Sequence, residues 1–296
     1  MKEITAKTLL GRVKQPDTWF GLRYNMNLYR GCQHQCIYCD SRSECYRIDD
    51  FAEVAVKANA LELLPRELAA KRVKGAVGFG SMHDPYMPVE ADIDLTGRAL
   101  DILAQHRFPA HLITKSALVE RDIERLLRLP RAAVSFTVTT ADDDLASKLE
   151  PGASLPSERF RAMKRLADAG VLAGTVMMPV LPFIEDNVEN VAAIVEATRA
   201  AGGGYIIPAF GMTLRDRQRA WYYEKLDRLF PGLRGKYERT YGDRYSCACP
   251  DARELEREFS RLAGDAGLET RMPGSNPDPV QADLFEEPAT GHGKRR

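Results

Sequence analysis

The chain has 296 residues and sets 42 Lys+Arg against 42 Asp+Glu, a formal net charge of +0. That length suits one large α/β domain or two small ones and can bury a substantial core. A balanced charge excludes recruitment of nucleic acid by a global field, so any basic surface must be local. The opening MKEITAKTLLGRVK carries no apolar core of a secretory signal. Nowhere do about 18 apolar residues run together, so no membrane span is predicted. Six cysteines in such a chain point to a reducing, cytoplasmic setting and to metal or redox use rather than disulfides.

RYNMNLY (23–29) is the first strand candidate, and YRGCQHQCIYCD (29–40) follows it directly. Cys32, Cys36 and Cys39 form a C-x3-C-x2-C array with Tyr38 set before the last. Three thiols this close cannot all pair as disulfides, but they can converge on one inorganic centre. Short spacings of this kind place several sulfurs around an iron–sulfur cube, and three ligands leave one iron open. The competing reading is a structural zinc site with Cys45 as fourth ligand. Such sites usually come as two separated Cys pairs, and no second pair stands at the right distance.

From residue 75 onward, β-rich apolar runs alternate with amphipathic helical stretches. Strands are predicted at 75–80, 110–114, 132–139, 171–178 and 204–210, and helices at 94–105, 119–128, 156–169 and 187–200. In VERDIERLLR (119–128), Val119, Ile123, Leu126 and Leu127 recur at the spacing of one helix face. Gly170 and Gly202–Gly204 stand where helix C-caps belong. Alternation of this kind predicts parallel strands, and six βα units suit an open, partial (β/α)6 barrel. Active sites in such barrels gather at the C-terminal strand ends, where the cysteine loop would sit.

After residue 210 the pattern becomes a helical C-terminal extension, 214–230 and 251–267. LRDRQRAWYYEK interleaves Arg215, Arg217 and Arg219 with Trp221, Tyr222 and Tyr223, a mix that can pair phosphates and stack bases. It reads equally as an amphipathic helix with packed aromatics and solvated arginines. The barrel with its N-terminal segment is assigned to 1–245, a strand and helix packed on it to 246–272, and a disordered tail to 273–296.

The cysteine motif, at the end of the first strand of a six-unit α/β pattern, resembles the radical S-adenosylmethionine superfamily. NMNLYRGCQHQCIYCDSRSECY, GFGSMHDPYMPVE, LITKSALVERDIERL and FGMTLRDRQRAWYYEKLDRLFPGLRGKYERTYG further resemble its spore-photoproduct-lyase-like group, over about residues 5 to 272. The resemblance implies a [4Fe–4S] cluster held by Cys32, Cys36 and Cys39, S-adenosylmethionine as cofactor, and an electron donor such as flavodoxin or ferredoxin. It implies that Lys115 and Ser135 hold the cofactor carboxylate, with Tyr38 and Ser81 also at the cofactor. Both Lys115 and Ser135 interrupt apolar runs at or inside strands, where a Lys is otherwise usually a solvated stem.

GSMHDPYMPVE (80–90) should form the rim loop of the second unit, with Ser81, His83, Asp84, Tyr86 and Glu90 as candidates for cofactor contact or catalysis. His83 reads equally as a packed histidine, and Asp84 and Glu90 as capping groups. Two departures touch the substrate chemistry. By register, Ser81 stands where spore photoproduct lyases carry a hydrogen-donating cysteine, and Asp40 stands where they carry a tyrosine. Cys247, Cys45 and Cys249 are the candidates for a substitute hydrogen donor or a redox pair, and read equally as ordinary reduced thiols. QADLF, Gln281–Phe285, resembles the peptide by which bacterial repair proteins dock on the sliding clamp. The expected activity is reductive cleavage of S-adenosylmethionine and radical chemistry on a nucleic-acid substrate such as a DNA lesion. The alternatives are the same chemistry on RNA, a peptide or a small metabolite, or a non-catalytic metal-containing clamp-binding protein.

Overall fold

The computed structural model describes residues 1–14 and 19–274; the clamp-like peptide lies outside the described residues. Six parallel strands form the main sheet: β1 Leu22–Met26, β2 Ala76–Phe79, β3 Ala110–Thr114, β4 Ala132–Thr137, β5 Leu172–Val180 and β6 Ile206–Thr213. They lie in chain order, so each crossover delivers the next strand to the edge of the last. The main helices between them are α1 Ala60–Ala69, α2 Leu95–Gln105, α3 Ile123–Leu127, α4 Asp143–Leu149, α5 Pro156–Asp168 and α6 Val188–Ala200, with a single turn, Glu90–Ile93, before α2. This is the predicted (β/α)6 arrangement. It stays open because an antiparallel strand occupies each edge: Leu10–Arg12 beside β1, and β7 Ser246–Ala248 beside β6.

β4 shows why the sheet forms. Ala133 to Thr137 are all buried, the continuous run expected of a parallel strand covered on both faces. Helix starts are set locally. Asp142 caps α4 by accepting from the Asp144 and Leu145 amides, and Asn187 caps α6 through the Asn190 amide.

Several elements depart from the sequence expectation. The first strand ends at Met26, and Tyr29–Arg30 instead joins a small second sheet with Ala55–Lys57 and Lys2–Ile4. The helix predicted over 119–128 is a 3-10 turn, Ala117–Asp122, leading into the short α3. Ser116 starts that turn by accepting from the Leu118 amide. The extension comprises α7 Asp216–Leu229, α8 Leu233–Tyr241 and α9 Ala252–Asp265. Tyr222, Tyr223, Tyr237 and Tyr241 form a buried aromatic cluster there. Arg217 and Arg219 are half-buried, and their guanidinium groups are already engaged. They donate to the carbonyls of Arg42 and Ile48, and of Leu214, Gly242 and Arg244. No helix among the described residues is long and apolar enough to cross a membrane.

Candidate active site

A cavity of about 580 Å³ opens at the C-terminal ends of the strands, lined on one side by Cys32, Cys36, Cys39, Tyr38 and Lys115. The cysteine loop is held from below by the segment after α4. The Ile37 amide donates to Leu149 O at 2.9 Å, and the Gly152 amide to His34 O at 3.0 Å. A Cβ at Gly152 would lie 2.2 Å from Gln33 O, so this approach requires glycine. Beneath it, Arg159 pairs with Glu150, which also accepts from the Tyr38 hydroxyl. Burial would raise the Glu150 pKa, but Arg159 and Lys115 hold it below the usual carboxylate value.

Asp84 ties the rim loop of β2 to the end of β3. Its carboxylate accepts from the Tyr86 amide at 2.8 Å, the Thr114 hydroxyl at 2.7 Å and the Lys115 amide at 2.6 Å. His34 Nδ1 stands 3.3 Å from its second oxygen. Burial works against its charge, yet His34 and these donors keep the pKa well below the ordinary value. Asp84 therefore fixes where the Lys115 stem leaves the strand.

Cys32 and Cys36 are buried and Cys39 is half-buried, and desolvation lifts the pKa of each thiol, that of Cys32 to about 12. Sulfurs in such a place become thiolates when a cationic centre replaces their protons. The donor set fits an iron–sulfur cluster: three soft ligands on one loop, facing one cavity. Among the described residues no group of three or more His, Cys, Asp or Glu closes on a single-ion position, as one tetrahedral zinc would need. Cys45 does not join the loop. It is exposed, 3.3 Å from the Ser43 hydroxyl and 3.5 Å from an Arg215 nitrogen.

The other predicted residues fall into two groups. Tyr38, Ser81, His83, Asp84 and Lys115 line the cavity. Ser81 accepts from Asn25 Nδ2 at 2.7 Å and donates to Asn27 Oδ1 at 3.2 Å. His83, however, has no nitrogen to offer a substrate. Nε2 accepts the Tyr29 amide at 3.2 Å, so the proton is on Nδ1, which donates to Asp84 O at 3.1 Å. Burial pushes its pKa down to about 4 and keeps the ring neutral.

Tyr86, Ser135 and Cys247 lie outside the lining. Tyr86 is fully buried, its hydroxyl donating to Asp122 at 3.0 Å. Ser135 lies deeper in the barrel, bonded to His111 Nε2 at 2.8 Å and the Tyr205 hydroxyl at 2.6 Å. Thr137, two residues along the same face, lines the cavity instead. Cys247 faces the tyrosine cluster, since in β7 the alternate residues Ser246 and Ala248 take the cavity side. Glu90, also outside, accepts from the Tyr29 hydroxyl and the Thr96 amide.

The wall opposite the cysteines is one the sequence reading did not reach: Ile113, Val176, Met178, Phe210 and Met212, with Met82 at the rim. It curves through a bulge in β6 at Gly211, where φ is +144° and a Cβ would lie 2.7 Å from Cys247 O. Among the described residues, Lys115 is the only Lys or Arg in the lining. Outside, Arg215 sits over the rings of Tyr245 and Tyr46, at 5.3 and 5.9 Å, and 3.6 Å from Asp40.

Comparison with known proteins bears on this geometry. The family model for the radical SAM superfamily matches residues 26–195. An uncharacterized protein of Mycobacterium tuberculosis is 30% identical over 301 residues, 96% of this chain and 87% of that protein. A radical SAM Nalpha-GlyT isomerase of Pseudomonas phage M6 is 22% identical over 179 residues, 60% of this chain and 37% of its own. A mutant spore photoproduct lyase, with bound AdoMet and dinucleoside spore photoproduct, superposes with a TM-score of 0.67. It shares 15% identity, over 90% of this chain and 80% of that one. A tryptophan-bound radical S-adenosylmethionine methyltransferase from Kitasatospora setae gives 0.55 at 13% identity, over 80% of this chain and 51% of its own.

Proposed function

Because the chain belongs to the radical S-adenosylmethionine superfamily, we propose that it is a radical enzyme acting on a modified or damaged base in DNA. Its cofactors are a [4Fe–4S] cluster, for which Cys32, Cys36 and Cys39 are the ligands we assign, and S-adenosylmethionine. Together they supply, on one-electron reduction, a 5′-deoxyadenosyl radical that abstracts hydrogen from a substrate. Lys115 is the residue we assign to the cofactor carboxylate, as the one Lys or Arg in the lining among the described residues. Thr137, rather than the deeper Ser135, offers the neighbouring hydroxyl. Tyr38, tethered through Glu150, keeps the floor rigid, and the Met and Phe wall excludes water from the reacting atoms.

The observation that carries the substrate reading is the division of charge between cavity and mouth. An uncharged wall accepts an apolar or ring-shaped group, while Arg215, outside it, is flanked by two tyrosines. A base drawn out of a strand would enter the first while its phosphate met the second. The dinucleoside bound by the lyase neighbour supports this reading. Ser81 makes repair of the spore photoproduct itself a poor fit, because a hydroxyl cannot replace a thiol as hydrogen-atom donor. Anaerobic assay with dithionite tests the proposal. Ultraviolet-irradiated DNA should stimulate 5′-deoxyadenosine formation over undamaged DNA, and stimulation by RNA, a peptide or a metabolite alone would refute the DNA assignment.

The sliding clamp is the partner we propose for Gln281–Phe285. Its polar surroundings and paired apolar anchors suit a peptide bound in a preformed groove. Leu284→Ala with Phe285→Ala should abolish capture by immobilised clamp and leave cofactor cleavage intact. Undiminished capture would end this part of the proposal.

A further inference from the structure

Arg42 lies three residues beyond the last cluster cysteine, in the 3-10 turn Asp40–Arg42. It is only 8% exposed, with its guanidinium 3.7 Å above the Trp221 ring and 4.7 Å from that of Phe51. One nitrogen donates to Gln35 Oε1 at 2.5 Å, and Gln35 in turn donates to Cys32 O. Arg42 is thus linked to the inside of the cysteine loop. Its Nε is buried with no hydrogen-bond partner among the described residues, and no ion pair with a carboxylate is found for it there.

A guanidinium cannot shed its charge in a protein, and a buried charge without a counterion costs several kcal/mol. The Arg42 amide also donates to Cys39 O at 3.4 Å, so both its backbone and its side chain are joined to the cysteine loop. We propose that Arg42 is a positioning residue whose counterion is the thiolate-held cluster, and that its fixed charge eases one-electron reduction of that cluster. This rests on the reading that the three cysteines hold the cluster. An electron arriving from a low-potential donor adds one negative charge to the loop, and a nearby desolvated cation stabilises that charge more than solvent would. No proton need move. The Trp221 ring, with Lys225 3.8 Å from its centre, holds the guanidinium in place.

The test is an electron paramagnetic resonance redox titration of the full-length, anaerobically reconstituted chain, with iron and sulfide measured separately. Arg42→Gln should load normally, yet its ratio of reduced to oxidised cluster at a fixed potential should fall at least tenfold, a shift of about 59 mV for one electron. Arg42→Lys should retain the native potential. A fully loaded Arg42→Gln with unchanged potential overturns the proposal. If Arg42→Gln does not load, Arg42→Lys decides: native loading and potential support the role of charge, while failure of either overturns it. A wild-type chain without iron would instead refute the functional reading, a result the metal analysis separates from the others.

Discussion

Replacing Arg159 by methionine is expected to destabilise the chain by about 3–5 kcal/mol, the usual consequence of removing one partner of a buried ion pair. Arg159 is 1% exposed and serves three acceptors. Its Nε donates to Ser154 O at 2.8 Å, one terminal nitrogen to Thr137 O at 2.8 Å, and the other to Glu150. Methionine fills much of the same volume but leaves two carbonyls without these donors and Glu150 without its strongest partner. The damage should spread to the site, because Leu149 to Gly152 carries the backbone bonds that support the cysteine loop. Chemical denaturation of the apoprotein measures the stability loss, and iron retention on dilution measures the effect on the loop. Adding Glu150→Gln should recover part of the loss, since the stranded charge is then gone. A loss below about 1 kcal/mol for Arg159→Met alone would mean that the pair is no more than a surface-like contact.

What could be read from the sequence, and what could not, follows from the range of each interaction. β3 spans the predicted 110–114 because an apolar run there is bounded by Pro109 and Lys115. The gathering of Cys32, Cys36 and Cys39 at one cavity was legible because all three sit on one loop, where spacing alone reports proximity. Ser135 was misplaced because strand parity gives a face but not a depth. Ser135 and Thr137 share a face, and only the bonds of Ser135 to His111 and Tyr205 show that it sits deeper than the cavity. Cys247 was misplaced for a related reason: a three-residue strand gives no period from which to read that Ser246 and Ala248, not Cys247, take the cavity side. The role of His83 depended on the Tyr29 amide, 54 residues away. The edge strands Leu10–Arg12 and Lys2–Ile4 were missed because three residues are too few to show a period.

The six cysteines should divide sharply when replaced one at a time by alanine. For Cys32, Cys36 or Cys39, the chain should lose its visible absorbance and most of its roughly four irons, and 5′-deoxyadenosine formation should drop to background. The site offers no replacement ligand, since Cys45 is held at the surface by Ser43 and Arg215. Cys247 and Cys249 are buried, and neither lines the cavity. Cys45→Ala should therefore leave both readouts unchanged. Cys247→Ala should leave iron content intact and lower stability by about 1 kcal/mol, as for a small core truncation. The contrast matters more than any single loss, because a misfolded variant also loses iron. Circular dichroism of the Cys36→Ala apoprotein should match that of the wild-type apoprotein, since the loop is held by Leu149, Gly152 and Phe51 through backbone bonds independent of the sulfurs. If Cys45→Ala or Cys249→Ala removes iron as completely as Cys36→Ala, the centre is built from other sulfurs. No corner would then remain open for the sulfonium cofactor.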